Sequence, residues 1–181
     1  MAVVGIGQVL NGDDAAGALI AQGLLKRQRA GWSDAPRPVP FSVLVIEAAH
    51  APENCTGVIR RFAPDLVVLV DAAEMGDPPG TIRWLDWQDT TGLDAFTHAL
   101  PPSMVARYLA AELSCGVAMI GIQAQNTSLG ASVSPPVRRA IRSVTQGLTE
   151  LLLGAPNQAG VRRRSARVSP MRRTNPGHRV H

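Results

Sequence analysis

Leu66-Val67-Val68-Leu69-Val70-Asp71 decides the fold. Five consecutive apolar residues leave no polar face, so the segment predicts a strand covered on both sides, as the centre of a parallel sheet is. The strand runs into an acid, Asp71. Working back from it, Pro52 opens a helix to about Phe62, with Val58, Ile59 and Phe62 on one face. Phe41–Ile46 is a second strand, and Ala30 to Pro40, rich in Pro and Asp, is a loop. Ala15 to Arg29 carries Leu19, Ile20, Leu24 and Leu25 at helical spacing, behind a short apolar run, Ala2–Ile6. Working forward, the turn Gly76-Asp77-Pro78-Pro79-Gly80 leads to a strand at Thr81–Leu85, and 86–100 is a long loop. A helix at Pro102–Leu113, a strand at Val117–Ile122 and a helix at Pro136–Leu153 complete the chain's periodic segments. The order β-α-β-α-β-β-α-β-α predicts an α/β fold, a three-layer αβα sandwich with a mixed, mostly parallel five-stranded sheet. Ligands of such sheets collect beyond the carboxyl ends of the strands.

The chain has 181 residues, 45% hydrophobic but only 4% aromatic, so its core must be built from Ala, Val, Leu and Ile. No apolar stretch has the ~18–20 residues of a membrane span, and the first residues lack the basic start of a signal peptide. Cytoplasmic location is therefore expected. Two cysteines, Cys55 and Cys115, exclude a disulfide-dense scaffold and a four-thiolate metal site. The net charge of +4 conceals a division: residues 157–181 hold seven arginines and no acid, leaving eleven basic against fourteen acidic residues in 1–156. A single domain over 1–156 is expected. The tail 157–181 has no apolar periodicity, reads as disordered, and offers weak contact to a polyanion.

Three polar positions stand at the expected strand ends and loops. Gly5-Ile6-Gly7-Gln8-Val9-Leu10 begins like a dinucleotide fingerprint but has Leu10 at the third glycine, and Asp13-Asp14 comes next, where a helix starts. A pyrophosphate needs that helix end free and positive, so two carboxylates argue against a dinucleotide. One of the pair is expected to cap the helix. Asp71 closes the central strand, where a carboxylate is costly unless paired or metal-bound. His98 lies in the loop before the third helix; His50 is the only other histidine of residues 1–156. Asp14, Asp71 and His98 together suit a divalent transition metal with positions left open. There is no Gly-x-Ser-x-Gly elbow and no HExxH. Cys55 lies near a helix start that lowers thiol pKa, but its plainer reading is a small buried apolar residue.

Gly5-Ile6-Gly7, Gly12-Asp13-Asp14, Ala51-Pro52-Glu53-Asn54, Leu69-Val70-Asp71-Ala72, Met75-Gly76, Pro79-Gly80, Thr97-His98 and Gly121-Ile122-Gln123, in that order, resemble the [NiFe]-hydrogenase maturation endopeptidases. The similarity runs from residue 2 to about 153 and looks most like the formate-hydrogenlyase branch, which matures the large subunit of hydrogenase 3. It implies a hydrolase that removes the C-terminal extension of a [NiFe]-hydrogenase large-subunit precursor once nickel is inserted. By motif, Asp14, Asp71 and His98 would engage nickel supplied by that precursor; no organic cofactor is implied. Two departures stand out: Gln8 where the family usually has Asn, and Glu47-Ala48-Ala49 where it usually has Asp-Gly-Gly, a loop tied to substrate recognition. That change keeps open a second reading, a non-cleaving, chaperone-like binder of a metalloprotein precursor.

Overall fold

The structure is a computed structural model and describes residues 1–32, 42–88 and 101–153. Strands β1 (Ala2–Ile6), β2 (Leu44–Ala49), β3 (Leu66–Ala73), β4 (Ile82–Leu85) and β5 (Gly116–Gln123) form one sheet in the order β2-β1-β3-β5-β4. All pairings are parallel except β4 with β5. Helices α1 (Ala16–Arg29), α2 (Thr56–Phe62), α3 (Pro102–Leu113) and α4 (Pro135–Leu152) complete the layers. The expected αβα sandwich with a mixed five-stranded sheet is what forms.

The alternation of β3 explains its unbroken apolar run. Val68, Val70 and Ala72 pack with Ile20 and Leu24 of α1 and Val137 and Leu148 of α4. Val67 and Leu69 pack on the other side with Ile59 of α2 and Val105 and Leu109 of α3. Each fully buried aliphatic side chain contributes about 1.5–3 kcal/mol. By the same alternation Asp71 belongs to the α2/α3 side.

α1 lies directly on strand backbone. A Cβ at Gly17 would stand 2.1 Å from the Val70 carbonyl oxygen and 2.3 Å from that of Ile6. Only a residue without a side chain lets the helix sit this close, which fixes the start of α1 over the carboxyl ends of β1 and β3.

Several boundaries differ from those the local periodicity predicts. β2 begins at Leu44 and runs through Glu47 to Ala49, because β1 offers it partners from Ala2 to Ile6; Phe41 lies outside the described residues. Glu47-Ala48-Ala49 is therefore the end of a strand. β3 continues past Asp71 to Ala73, because β5 runs beside it as far as Gln123, so Asp71 is inside the strand, opposite Gly121. The first two helices are each preceded by a 3-10 turn, Gly12–Ala15 and Pro52–Cys55. The antiparallel edge strand β4 is what makes the sheet mixed, as expected of it. The basic segment 157–181 lies outside the described residues.

The register of β1 against β2 slips at its end, where Gly5 pairs Glu47 and Ile6 pairs Ala49. Ala49 takes the left-handed conformation, φ 49, and its carbonyl accepts the Gly7 N–H at 2.7 Å. That conformation costs an L-residue with a Cβ about 1–2 kcal/mol. Alanine in place of glycine therefore costs stability at 49 and adds it at 48, whose backbone is not left-handed. Ala49→Gly is expected to raise stability by up to about 1 kcal/mol, and Ala48→Gly to lower it by about 0.5–1 kcal/mol. Urea unfolding of the two single variants checks the opposite signs.

Candidate active site

The site grows from the turn after β1. Gly7 has φ +128, and a Cβ there would lie 1.8 Å from the Asp14 carbonyl oxygen, so glycine alone permits this fold-back. The turn closes through Asn11 N–H to the Gln8 carbonyl at 2.9 Å and Asp14 N–H to the Asn11 carbonyl at 3.1 Å. The Asp14 carboxylate then accepts the Gln8 N–H at 2.7 Å.

Its neighbour does something else. Asp13 is fully buried, and its two oxygens accept three backbone N–H groups: Gln125 at 2.8 Å, Asn126 at 3.0 Å and Ser134 at 2.6 Å. It anchors the connection from β5 to α4. Neither acid makes a side-chain cap to its own helix, so the capping expectation is replaced: Asp13 binds across the molecule and Asp14 binds back to Gln8.

Asp71 is buried and faces Asp14. Burial, with the Asp14 charge adding to it, pushes the Asp71 carboxyl up to about 8, against a smaller opposing pull from the Ala72 N–H. Burial also raises Asp14, but the Gln8 N–H and the charge of His50 oppose that rise. A buried carboxyl beside a like charge is pushed toward its neutral form, which is the direction for Asp71, while the Gln8 N–H favours the charged form of Asp14.

His98, the third candidate, lies outside the described residues, as do 89–100 as a whole. Among the described residues no group of three or more His, Cys, Asp and Glu side chains is placed to hold a metal ion. Asp14 and Asp71 supply two hard oxygen donors, a set that fits a divalent cation only in part. Of the Glu47-Ala48-Ala49 group, Glu47 is exposed and accepts the Gln22 amide of α1 at 2.9 Å, while Ala48 is buried on the α2/α3 side.

Two residues do more than their sequence context suggests. His50 is only one of two histidines of residues 1–156 in the sequence; because β2 runs on to Ala49, it arrives beside Asp14. Gln123 ends β5 with its amide fully used. Its oxygen accepts Met75 N–H at 2.7 Å and Asp77 N–H at 3.3 Å, and its nitrogen donates to Glu74 at 3.1 Å and to the Ala124 carbonyl at 3.0 Å. It holds the segment just after β3. A glutamine ending an apolar strand was the available signal.

Cys55 is no activated nucleophile. Burial and the nearby Glu53 charge push its thiol up, the reverse of the effect expected from a helix start. Cys55→Ser is expected to keep at least half of the wild-type processing rate; covalent labelling of Cys55 with loss of activity in the serine variant would reverse that assignment.

The α/β sheet thus carries two buried acids coupled by charge, Asp14 in the turn after β1 and Asp71 near the carboxyl end of the neighbouring parallel strand β3. The chain belongs to the hydrogenase maturation protease family: the model of the HycI family matches residues 28–151. It is 29% identical over 144 residues to the hydrogenase 3 maturation protease of Escherichia coli K12, covering 79% of this chain and 85% of that protein. The crystal structure of the [NiFe]-hydrogenase maturation protease HycI from Thermococcus kodakarensis superposes with a TM-score of 0.70 at 30% identity, over 83% of this chain and 90% of that one. The solution structure of the endopeptidase HycI from Escherichia coli gives 0.67 at 29% identity, over 82% and 88%. No helix among the described residues is long and apolar enough to cross a membrane.

Proposed function

We propose that this chain is the endopeptidase that removes the C-terminal extension of a [NiFe]-hydrogenase large-subunit precursor, and that the precursor's own nickel is what its cleft recognises. The observation that carries the reading is a pair of buried acids coupled by charge, Asp14 after β1 and Asp71 in β3, with burial pushing Asp71 toward its neutral form. In the proposal the precursor's nickel meets Asp14, Asp71 and His98.

Amide hydrolysis needs a base to take a proton from water and an acid to return one to the leaving amine. A protonated Asp71 cannot act as that base. A divalent cation arriving with the precursor displaces the Asp71 proton, since ligands bind metal in their deprotonated form. The Asp71 carboxylate oxygen turned away from the cation would then accept a proton from the attacking water as the water oxygen bonds to the scissile carbonyl carbon. The carbon–nitrogen bond breaks as that proton passes to the amine. Cleavage is thereby tied to metal loading: a precursor without nickel leaves Asp71 neutral and the water unactivated. In this sense the reaction is nickel-dependent and of aspartic type, with the nickel belonging to the substrate.

The test is to incubate the full chain with nickel-loaded and nickel-free precursor and weigh the large subunit by mass spectrometry. A shortened subunit only with nickel is expected. An intact subunit that co-purifies with this chain would establish the non-cleaving binder instead. His98→Ala is expected to abolish processing; wild-type rates in that variant would remove His98 from the site.

A further inference from the structure

β5 has a glycine where it passes Asp71. Gly121 pairs with Asp71 across β3 and β5, so the two share a face, their strands about 4.8 Å apart. A Cβ on Gly121 would stand 2.6 Å from Leu85 Cδ1 and 3.0 Å from Met75 Sδ. The missing side chain is thus a seat that two others occupy, one strand over from the acid. Leu85 comes from the edge strand β4 and packs into the α2/α3 core. Met75 comes from the segment after β3, is only half-buried, and is not among the side chains of that core. Its backbone is nevertheless fixed. The amide oxygen that takes the Met75 N–H belongs to Gln123, a side chain only 3% exposed. The same oxygen takes the Asp77 N–H, and Asp77 pairs with Arg83 of β4 at 2.7 Å. Gly76 turns the chain between them at φ +69, and its N–H goes to Glu74 at 3.0 Å. A thioether that only filled the core would be buried, and a plain surface turn needs no buried amide to hold it. A locked backbone under a half-open side chain is how binding contacts are built, and methionine is a residue that such surfaces use.

We propose that Met75 is a substrate-contacting residue, its thioether the wall beside Asp71 on which an apolar stretch of the precursor polypeptide rests, and that Gln123 is the positioning residue that holds it there. The identity of the substrate rests on the protease reading; the seat and the clamp rest on this chain alone. An unbranched, polarisable side chain gains dispersion contact with whatever apolar group lies on it and adapts to its shape. Such a wall adds affinity and takes no part in bond making, so its loss weakens binding and spares the chemical step. Gln123 touches no substrate and acts only through the segment Met75–Asp77.

The contact is tested by labelling the methionine methyls of the full chain with carbon-13 and adding nickel-loaded precursor, with gel filtration to follow the complex. The Asp14→Asn background keeps the precursor uncut during the measurement. The Met75 methyl, assigned with Met75→Leu, should shift well beyond that of Met119, which is buried on the same side of the sheet. In the active chain Met75→Ala should raise KM about tenfold with kcat within about twofold, and Met75→Leu, which keeps the apolar bulk, should bring KM back to within about threefold of the parent. Gln123→Ala should raise KM by a similar factor, and the double variant should be no worse than either single, since both remove one contact. A complex that leaves the Met75 methyl in place, an unchanged KM in Met75→Ala, or multiplying effects in the double variant would each overturn the proposal. Should Gln123→Ala fail to fold, the half-exposed Met75→Ala still decides it. A chain whose Met75 methyl answers to the precursor but which cuts nothing sinks the protease reading and leaves the contact standing, with Kd read in place of KM. No complex with either the Asp14→Asn or the parent chain would overturn both.

Discussion

Asp71→Asn yields an inactive protein that is more stable than its parent at pH 8. Processing should fall by about 10³-fold or more, since the proposed proton acceptor is gone. The stability gain comes from the direction of the Asp71 shift. The group titrates near 8 when folded, against 3.8 for an unperturbed aspartate. Below pH 4 both states hold the proton and the group contributes nothing. Between about pH 4 and pH 8 the unfolded chain has released it while the folded chain retains it. Stability therefore falls as pH rises, by up to about 1.4 kcal/mol per pH unit, and the loss levels off above pH 8. Asparagine fills the same space without titrating. Urea midpoints of the two proteins should coincide near pH 4 and separate to a few kcal/mol by pH 8. Parallel pH profiles would show that Asp71 is charged in the folded protein. The wild-type acid is then a stability liability retained at a functional position.

Asp13 and Asp14 are adjacent in sequence and should give opposite phenotypes. Asp13→Ala strands three backbone N–H groups, that of Ser134 buried and those of Gln125 and Asn126 part-buried. An orphaned buried donor costs about 1–3 kcal/mol and a part-buried one less, so a loss of about 2–4 kcal/mol is expected, a large part of the 5–15 kcal/mol that typically holds a domain together. A drop in melting temperature of 10 °C or more is the readout. Asp14→Asn keeps an oxygen for the Gln8 N–H and removes a charge that opposes Asp71, so its stability should stay within about 1 kcal/mol of wild type. Its processing activity should vanish. Full processing by Asp14→Asn, or an unshifted melting curve for Asp13→Ala, would reverse the roles assigned to the pair.

How far these roles are legible depends on where each residue's partners lie. Asp71 stands out because an acid closing five apolar residues is an anomaly that a run of valines cannot hide. That Asp71 sits within β3 is not legible, since the strand's length depends on β5, about fifty residues onward. Asp13 and Asp14 cannot be told apart, because the donors that claim Asp13 come from residues 125 to 134. Periodicity places β2 three residues early: Phe41-Ser42-Val43 is as strand-like as Leu44-Val45-Ile46, and the choice of register belongs to β1. The same displacement hides His50, which reaches Asp14 only when the strand ends at Ala49. Glu47 looks like the end of a strand, yet an edge strand tolerates it, because its carboxylate reaches the Gln22 amide of α1. The αβα layering is legible throughout, since it depends on local periodicity that each segment carries by itself.

The grip of Asp13 on residues more than a hundred positions away also sets an order of assembly. β1 leaves the ribosome before its partners, but it is an interior strand that waits for both β2 and β3. The turn bearing Asp14 waits longer, because the anchor made by its neighbour Asp13 needs Ser134. Contacts so distant along the chain form late, after their loop-closure entropy has been met. A nascent chain halted before residue 134 carries both acids without the frame that aims them. On the proposed reading, proteolytic competence would switch on only as α4 docks, so an unfinished molecule would hold Asp14 and Asp71 yet be unable to cut.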